Sequence, residues 1–405
     1  MDVKIYPSNL KGSIEVQSLK ATAHRALIAS VFAEKPTEIF IKHQTQDVFT
    51  TVKCLNKLGA DINAYAGKLV VNPIPLGQTL MIDDEFDVGD SVATLKFLLP
   101  TISVFLGGGT FKGECKLPKK STVEFLSSLN GVGYTSDKLP LKINGTLKGG
   151  NITLSGSVGS QAISGVLLAM PLMKTDTTLT VKGEVASKYL VDITVKVMRD
   201  FGVNVAVSGN TYSVKAKDKY VSPEQYVLDG DYTLASYYLA CGMPQDTVTL
   251  SGLEQNSLQQ DAVILRLIES LKKDNNAVLS LDGVTDLIYP LTVASCFKKD
   301  KTVIKNATLK TEKSQERFEF FIGFLKKMGA DVIKTDDGVI VNGTGSLKGG
   351  VFVDGYGESK VAMALSVAAA KAEEPTYVLS VESVLKSYPS FFNDLIKLGA
   401  KVQTM

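Results

Sequence analysis

Six segments of the chain are apolar on almost every face of a helix. They are rich in alanine, valine, leucine and isoleucine, and a helix without a polar face belongs in the interior of a domain. We therefore predict six buried helices, at residues 26–33, 92–105, 163–173, 235–241, 291–297 and 361–370.

The end of an amphipathic helix recurs along the chain as a second pattern. Each clear copy has an apolar helix end, a glycine and then an alternating strand. These copies are residues 55–62, 197–205, 324–332 and 395–402, with weaker copies at residues 126–134 and 267–278. Because glycine tolerates the positive φ at which many helices end, we predict helix ends at Gly59, Gly202, Gly329 and Gly399. Hairpins are predicted around Gly209 and Gly338.

The repeat predicts a two-domain α/β fold. Its copies lie roughly seventy residues apart, which is longer than the period of solenoid repeats. A chain of 405 residues is also longer than a domain with a single hydrophobic core usually is. We expect three repeated α/β units in each domain, with sheets around three buried, parallel helices. Crossovers near Ser18 and Asp229 would give one domain of residues 19–229 and a discontinuous domain of residues 1–18 and 230–405.

Polar residues cluster at the starts of the six predicted helices. They are Lys20, Arg25, Asp90, Ser91, Lys96, Ser160, Gln161, Asp231, Asp286, Ser359 and Lys360. Unpaired N–H groups and the helix dipole attract anions to a helix start, and cations strengthen this attraction. If three helix starts of each domain face a common cleft, that cleft would bind anions. Capping is the simpler interpretation of any one aspartate, but it does not explain the added cations.

Composition argues against several other functions. The net charge is +2 and no basic–aromatic stretch occurs, which argues against nucleic-acid binding. We expect neither a signal peptide nor a membrane span, because no apolar stretch fits either. The four cysteines and two histidines form no ligand motif. We therefore expect reduced thiols, a cytoplasmic location, no metal and no cofactor.

Five segments resemble motifs of the enolpyruvyl transferases, and most closely those of the EPSP synthase family. The segments are KATAHR at residues 20–25, GDSVATLK at 89–96, SVGSQ at 157–161, SKY at 187–189 and QNSLQQD at 255–261. Asp286, Lys313, Arg317 and Lys386 also fall on site positions of this family. The similarity runs in order through essentially the whole chain.

The resemblance implies transfer of the carboxyvinyl group of phosphoenolpyruvate to the 5-hydroxyl of shikimate 3-phosphate, with release of phosphate. It implies Asp286 as the base and Lys20 as the acid, and we expect the Asp286 carboxylate to contact N–H groups of the helix that it opens. The implied contacts of shikimate 3-phosphate are Lys20, Arg25, Ser160, Gln161, Ser187, Asp286 and Lys313. Those of phosphoenolpyruvate are Lys20, Lys96, Lys116, Gln161, Arg317, Lys360 and Lys386. We expect a monomer.

The chain departs from the family motifs at several positions. Lysine replaces arginine at Lys96, Lys116, Lys120 and Lys360, which keeps the charge but loses the bidentate fork. Arginine is scarce throughout, with four among 44 basic residues, so composition explains much of this change. Val92 replaces a glycine that packs beside phosphoenolpyruvate in the family. The other replacements are Ala21, Gly159, Leu190, Leu309, Ser314 and Ser359.

Two alternatives to this function remain open at the level of sequence. The first is a paralogue that binds anions through the same fold but has lost or changed its catalysis. The second is an enolpyruvyl transferase acting on UDP-N-acetylglucosamine, which carries a reactive cysteine near the position of Cys115. For Cys115 itself, an ordinary loop thiol is the simpler interpretation.

Overall fold

The structure, a computed structural model, describes residues 1–75, 85–309 and 311–405. The chain divides into two compact units, one of Met1–Gln17 with Asp229–Met405 and the other of Ser18–Leu228. The limits predicted from the sequence lie within one residue of these. The assignment of these units as two domains stays a prediction.

The described residues contain thirteen α-helices, which we number in chain order. They are α1 Lys20–Val31, α2 Gln46–Lys57, α3 Val92–Leu106, α4 Lys119–Ser128, α5 Ser160–Ala169, α6 Tyr189–Asp200, α7 Tyr232–Gly242, α8 Ile264–Lys273, α9 Ile288–Cys296, α10 Glu312–Lys327, α11 Ser359–Ala370, α12 Glu382–Ser387 and α13 Phe391–Lys397.

The described strands are numbered in the same way. They are β1 Val3–Tyr6, β2 Gly12–Glu15, β3 Thr37–Phe40, β4 Asp61–Tyr65, β5 Lys68–Asn72, β6 Glu85–Asp87, β7 Gly108–Lys112, β8 Gly133–Tyr134, β9 Leu141–Asn144, β10 Asn151–Ser155, β11 Thr177–Lys182, β12 Ala206–Ser208, β13 Thr211–Val214, β14 Gln225–Val227, β15 Val248–Ser251, β16 Val278–Ser280, β17 Lys301–Lys305, β18 Asp331–Lys334, β19 Val339–Asn342, β20 Phe352–Asp354, β21 Thr376–Leu379 and β22 Lys401–Thr404.

One supersecondary pattern repeats through both units. A strand is followed by a buried helix, a second strand, a more exposed helix and a hairpin. In the sheets β6-β7-β9-β8, β10-β11-β13-β12 and β16-β17-β19-β18, the first pair is parallel and the other two pairs are antiparallel. A buried helix connects each parallel pair, as parallel strands require a crossover. The repeated α/β units predicted from the sequence are confirmed.

Two of the sheets are completed by strands that are distant in sequence. The sheet β14-β3-β5-β4 takes its first strand from the end of the unit Ser18–Leu228. The sheet β20-β21-β1-β22 takes β1 from the amino terminus. The sixth sheet is reduced to the parallel pair β2 and β15.

The six predicted apolar helices are the buried helices of the fold. In the unit Ser18–Leu228 they are α1, α3 and α5, and in the other unit they are α7, α9 and α11. Close packing of α3 on α5 depends on Gly165, where an added Cβ would overlap the Lys96 carbonyl. Some predicted boundaries were wrong: α1 begins at Lys20 rather than at residue 26, and the predicted helix at residues 163–173 ends early. The helix α5 ends at Ala169, and a 3₁₀ turn with Pro171 follows, because proline offers no N–H to continue an α-helix.

The glycine helix ends and both hairpins are confirmed. Gly59, Gly202, Gly329 and Gly399 have φ between 78° and 109° and follow the C-cap residue directly. At each one, the glycine N–H and the N–H of the next residue donate back to carbonyls of the last turn, at 2.9–3.1 Å. In the described part of the chain, no helix is long and apolar enough to cross a bilayer.

Candidate active site

Lys20 is the first residue of α1, and its ammonium group is paired. Its Nζ lies 2.7 Å from Oδ2 of Asp47, in the first turn of α2, and 44% of the Lys20 side chain is exposed. No side chain among the described residues caps α1, so N–H groups of its first turn are left for other partners. Lys20 therefore combines a solvent-accessible cation with an uncapped helix start. Sequence analysis missed Asp47, because nothing local indicates that α2 faces Lys20.

Ser160, Gln161 and Lys96 lie close together at the start of α5. Gly159, with φ 88°, turns the chain into this helix, and Ser160 is its first residue. Lys96 reaches across from α3, and its Nζ donates to the carbonyl of Val158 at 3.2 Å. Burial lowers the pKa of Lys96. The two predicted motifs, at residues 89–96 and 157–161, thus contact each other within their unit.

Ser187 has an unusual backbone conformation. Its φ is 56°, in the left-handed region that residues with a Cβ seldom occupy. The Ser187 carbonyl accepts from the N–H of Leu190 at 3.0 Å as α6 begins. Such strain costs on the order of 1–3 kcal/mol and is concentrated at functional sites. This observation supports the predicted role of Ser187.

Arg25 does not lie at a helix start, which corrects our interpretation of the sequence. Because α1 begins at Lys20, Arg25 falls in its second turn and is only 1% exposed. Its guanidinium donates to Thr194 Oγ1 at 2.6 Å, to Ser164 Oγ and the Leu190 carbonyl at 3.0 Å, and to the Ala21 carbonyl at 2.5 Å. Four of its five N–H donors are thereby used inside the protein.

Asp286 forms an ion pair that the sequence did not predict. It lies in a 3₁₀ turn just before α9, and its Oδ2 is 2.7 Å from Nζ of Lys360, the second residue of α11. No hydrogen bond from its side chain caps α9 or the turn before it, so the expected contact with helix N–H groups was wrong. By contrast, Asp231 does cap α7, where its Oδ1 accepts from Leu234 N at 3.1 Å. Ser91, rather than Asp90, caps α3.

Two further acidic residues surround this pair, and sequence analysis had assigned neither a role. Glu358, directly before α11, is paired with Arg317 of α10. The pKa of Asp261 is raised to about 6, mainly by burial and also by the nearby carboxylates Asp231 and Asp286, against a hydrogen bond from Thr233 and the charge of Lys360. The sequence feature that could have identified Glu358 as a site residue is its position close to Lys360, at the start of a buried helix.

The remaining predicted cations are exposed. Lys116 lies in the loop before α4, Lys313 is the second residue of α10, and Lys386 lies in α12. Among the described residues, neither Lys116 nor Lys313 forms an ion pair with another predicted site residue. The described parts of the chain also contain no group of three histidine, cysteine or acidic side chains arranged to hold a metal ion.

The family model for EPSP synthase (3-phosphoshikimate 1-carboxyvinyltransferase) matches residues 5–395. The chain belongs to the EPSP synthase family. A 3-phosphoshikimate 1-carboxyvinyltransferase of Clostridium perfringens strain 13 is 30% identical to it, covering 98% of both chains. The enzyme of the same name from Clostridium botulinum strain Alaska E43 is 29% identical, covering 98% of this chain and 97% of its own. The EPSP synthase structure from Acinetobacter baumannii covers 100% of both chains, with a TM-score of 0.83 and 19% identity.

Val92 should limit inhibition by glyphosate, which occupies the phosphoenolpyruvate site in EPSP synthases. Val92 is the first residue of α3, where the family motif has a glycine. Excess side-chain volume in a fitted pocket costs about 1–3 kcal/mol. We therefore expect Val92→Gly to lower the inhibition constant of glyphosate about ten- to a hundredfold. Ala93→Gly, at the next helix position, controls for weakening of the helix. Equal inhibition of the wild type and Val92→Gly would contradict the pocket assignment.

Cys115 should not take part in catalysis. Partial burial raises the pKa of its thiol, which disfavours the reactive thiolate. Its N–H donates to the Gly89 carbonyl at 3.2 Å, so the backbone of Cys115 helps to hold this loop in place. We expect Cys115→Ser to keep the wild-type kcat within about twofold, since no nucleophile is removed. A loss of most activity would favour a transferase with a catalytic cysteine.

Proposed function

We propose that this protein transfers the carboxyvinyl group of phosphoenolpyruvate to the 5-hydroxyl of shikimate 3-phosphate and releases phosphate. The observation that carries the proposal is the family match over residues 5–395, with relatives covered along nearly their whole length. The reaction belongs to the shikimate pathway of aromatic amino-acid biosynthesis. The chemistry of the candidate site agrees with two multiply anionic substrates.

Asp286 and Lys20 would perform the proton transfers. Asp286 accepts the proton of the 5-hydroxyl while the hydroxyl oxygen bonds to carbon 2 of phosphoenolpyruvate. Lys20 donates a proton to the methylene carbon of phosphoenolpyruvate. This addition gives a tetrahedral intermediate. The neutral Lys20 amine then takes a proton back from the new methyl group while the carbon–oxygen bond to phosphate breaks, which restores the double bond and releases phosphate. Asp286 and Lys360 form an ion pair at 2.7 Å, and each could release the other to contact a substrate.

The substrate contacts remain those that the family resemblance assigns. For shikimate 3-phosphate we propose Lys20, Arg25, Ser160, Gln161, Ser187, Asp286 and Lys313. For phosphoenolpyruvate we propose Lys20, Lys96, Lys116, Gln161, Arg317, Lys360 and Lys386. The strain at Ser187 and the contact of Lys96 with the loop before α5 support the assignments in that unit. The ion pairs of Asp286 and Arg317 support those in the other unit.

We also propose that the protein is a cytoplasmic monomer. All four cysteines are unpaired, as expected in a reducing compartment. Light scattering at micromolar concentration tests the oligomeric state, and a mass of two chains would contradict it.

The test of this function is an acceptor comparison. Phosphoenolpyruvate is incubated with the protein and either shikimate 3-phosphate or UDP-N-acetylglucosamine, and the products are identified by mass spectrometry. We expect the carboxyvinyl ether of shikimate 3-phosphate alone. Product from UDP-N-acetylglucosamine would instead support an enolpyruvyl transferase that acts on that acceptor. Absence of product from both acceptors would leave only a binding paralogue.

A further inference from the structure

A buried carboxylate lies just after the segment that carries Lys386. Asp394 belongs to the first turn of α13, and its side chain is fully buried. Its Oδ2 accepts from the hydroxyl groups of Ser390 at 2.8 Å, Tyr388 at 2.9 Å and Tyr238 at 3.3 Å. All three donors are themselves buried, so they converge on one carboxylate oxygen in the interior of their unit.

The two tyrosines are held as neutral hydrogen-bond donors. Burial raises the pKa of Tyr238 and that of Tyr388 above the ordinary value for tyrosine, so both hydroxyl groups keep their protons at neutral pH. The two ring centroids lie 5.7 Å apart, edge to face, and each lies 6.0 Å from the ring centroid of Phe391. Packing of the rings and the hydrogen bonds to Asp394 therefore fix the same side chains.

This network fixes the bend between α12 and α13. Helix α12 ends at Ser387, and the three residues 388–390 separate it from α13. Pro389 disfavours a helical conformation at the residue before it, and Tyr388 accordingly leaves the helix with φ −143° and ψ 79°. The two residues that flank the proline, Tyr388 and Ser390, both donate to Asp394.

The carbonyl directly after Lys386 is held separately, by Gln17. This glutamine is only 1% exposed, and its Nε2 donates to the Ser387 carbonyl at 3.1 Å. The Gln17 carbonyl accepts in turn from the N–H of Asp231, the cap of α7, at 2.9 Å. Of the four residues that follow Lys386, three are thus held by hydrogen bonds and the fourth is a proline.

Stability does not by itself explain a carboxylate at this position. Asp394 pairs with Lys397 at 3.4 Å, but 64% of that lysine side chain is exposed, and such a pair contributes only about 0–1 kcal/mol. Burial of a charge costs several kcal/mol, and apolar residues of similar volume often replace buried ionic groups without loss of stability. A defined backbone conformation does explain the carboxylate, because hydrogen bonds are directional and apolar contacts are not.

We propose that Asp394 is a positioning residue for phosphoenolpyruvate, because it fixes the bend after Lys386 and thereby the place of the Lys386 ammonium group. The inference rests on the proposed function, which takes Lys386 as a phosphoenolpyruvate contact. A lysine side chain is long and flexible, so an ordered backbone limits the volume that its ammonium group samples. A site that is ordered before the substrate arrives loses less entropy on binding. Since Asp394 is fully buried, it acts through the bend and not by contact with the substrate.

The first experiment weakens the network by one group at a time. Tyr388→Phe deletes one hydroxyl group, Ser390→Ala deletes another with a smaller change in volume, and Asp394→Asn removes the charge of the acceptor. Tyr220→Phe is the matched control, because Tyr220 is 2% exposed and its hydroxyl group donates to the Leu168 carbonyl at 2.9 Å. Steady-state kinetics at saturating shikimate 3-phosphate measures kcat and the KM of phosphoenolpyruvate, and thermal unfolding measures Tm.

We expect all three network variants to raise the KM of phosphoenolpyruvate at least about fivefold, which is within the coupling found between residues of one network. Their kcat should stay within about threefold, since a weaker contact to a bound substrate affects ground state and transition state alike. Tyr220→Phe should keep the wild-type KM. A wild-type KM in the network variants would overturn the proposal. An equal rise of KM in Tyr220→Phe and Tyr388→Phe would do so too, because it would trace the effect to lost stability.

A double-mutant cycle decides whether the network acts through Lys386. Lys386→Ala should itself raise the KM of phosphoenolpyruvate, as the proposed function requires. If Asp394 only places Lys386, then Tyr388→Phe should have no further effect on KM once Lys386 is replaced by alanine. The same increase of KM in both backgrounds would show that the network acts on another part of the site, and would overturn the proposal.

Hydrogen exchange provides a measurement that does not depend on catalysis. In the ligand-free protein, amide exchange at residues 384–394 should become faster in Tyr388→Phe and Asp394→Asn, and stay unchanged in Tyr220→Phe. Unchanged exchange in all three variants would overturn the role of Asp394 in the bend. A wild type without turnover would refute the proposed function and with it the role toward phosphoenolpyruvate, whereas hydrogen exchange would still decide whether Asp394 fixes the bend.

Discussion

Asp286→Asn is expected to lower kcat at least about a hundredfold, as for loss of a general base. Asparagine has nearly the same shape but cannot accept the hydroxyl proton. Its amide can still hydrogen-bond the substrate, so the Kd of shikimate 3-phosphate should stay within about threefold of the wild type. Steady-state phosphate release and calorimetry measure the two quantities separately.

The stability of Asp286→Asn should be close to that of the wild type. The carboxylate caps no helix, and its pair with Lys360 is half exposed, with side-chain exposures of 48% and 35%. A pair of this kind contributes about 0–1 kcal/mol, which corresponds to a Tm shift of about 4 °C or less. The unfolding curve therefore separates a chemical role from a structural one.

Asp246→Asn provides the matched control in the same unit. Asp246 is exposed and pairs at 2.9 Å with Lys272, which is partly buried, at the opposite end of α7 from Asp231. Its φ of 57° is tolerated by asparagine. This variant should keep wild-type turnover. If Asp286→Asn also kept its turnover, the assignment of Asp286 as the base would be wrong.

The second large effect is expected at Lys20, where two substitutions separate charge from proton transfer. Lys20→Arg keeps the cation, but arginine does not give up its proton in proteins. We expect it to retain affinity for shikimate 3-phosphate within about fivefold and to lose at least about a hundredfold in kcat. Lys20→Met removes the charge as well, so both affinity and turnover should fall.

Lys196→Met is the control for removal of an exposed paired lysine. Lys196 pairs with Asp200 at 2.9 Å and is 42% exposed, against 44% for Lys20. It should behave as the wild type in both assays. A Lys20→Arg variant with normal kcat would rule out Lys20 as the proton donor and leave it an electrostatic role.

Much of the fold could be predicted because its signals are local. Helix ends at Gly59 and Gly202 depend on a backbone conformation that glycine favours, and apolar segments reveal buried helices without knowledge of their neighbours. The strands β14 and β1 complete sheets whose other strands are far away in sequence. No local sequence pattern indicates which strands pair over such distances, so only the structure assigns β14 and β1 to their sheets.

The same distinction applies to the candidate site. The spacing of Lys20 and Arg25 suggested two cations at a helix start, but the partner of Arg25 at Thr194 is 169 residues away in sequence. The pairing of Asp286 with Lys360 depends likewise on how α9 and α11 pack. Residue types could be predicted from the motifs, whereas burial and pairing follow from long-range packing.

The most direct test of the account is phosphate release with both substrates, set beside a calorimetric titration with shikimate 3-phosphate alone. The replaced family residues, among them Ala21 and Ser314, make this measurement informative. We predict binding of shikimate 3-phosphate and release of many equivalents of phosphate per protein, only when phosphoenolpyruvate is also present. Binding of shikimate 3-phosphate without phosphate release would contradict the account and identify a paralogue that binds the ligand but does not catalyse the reaction.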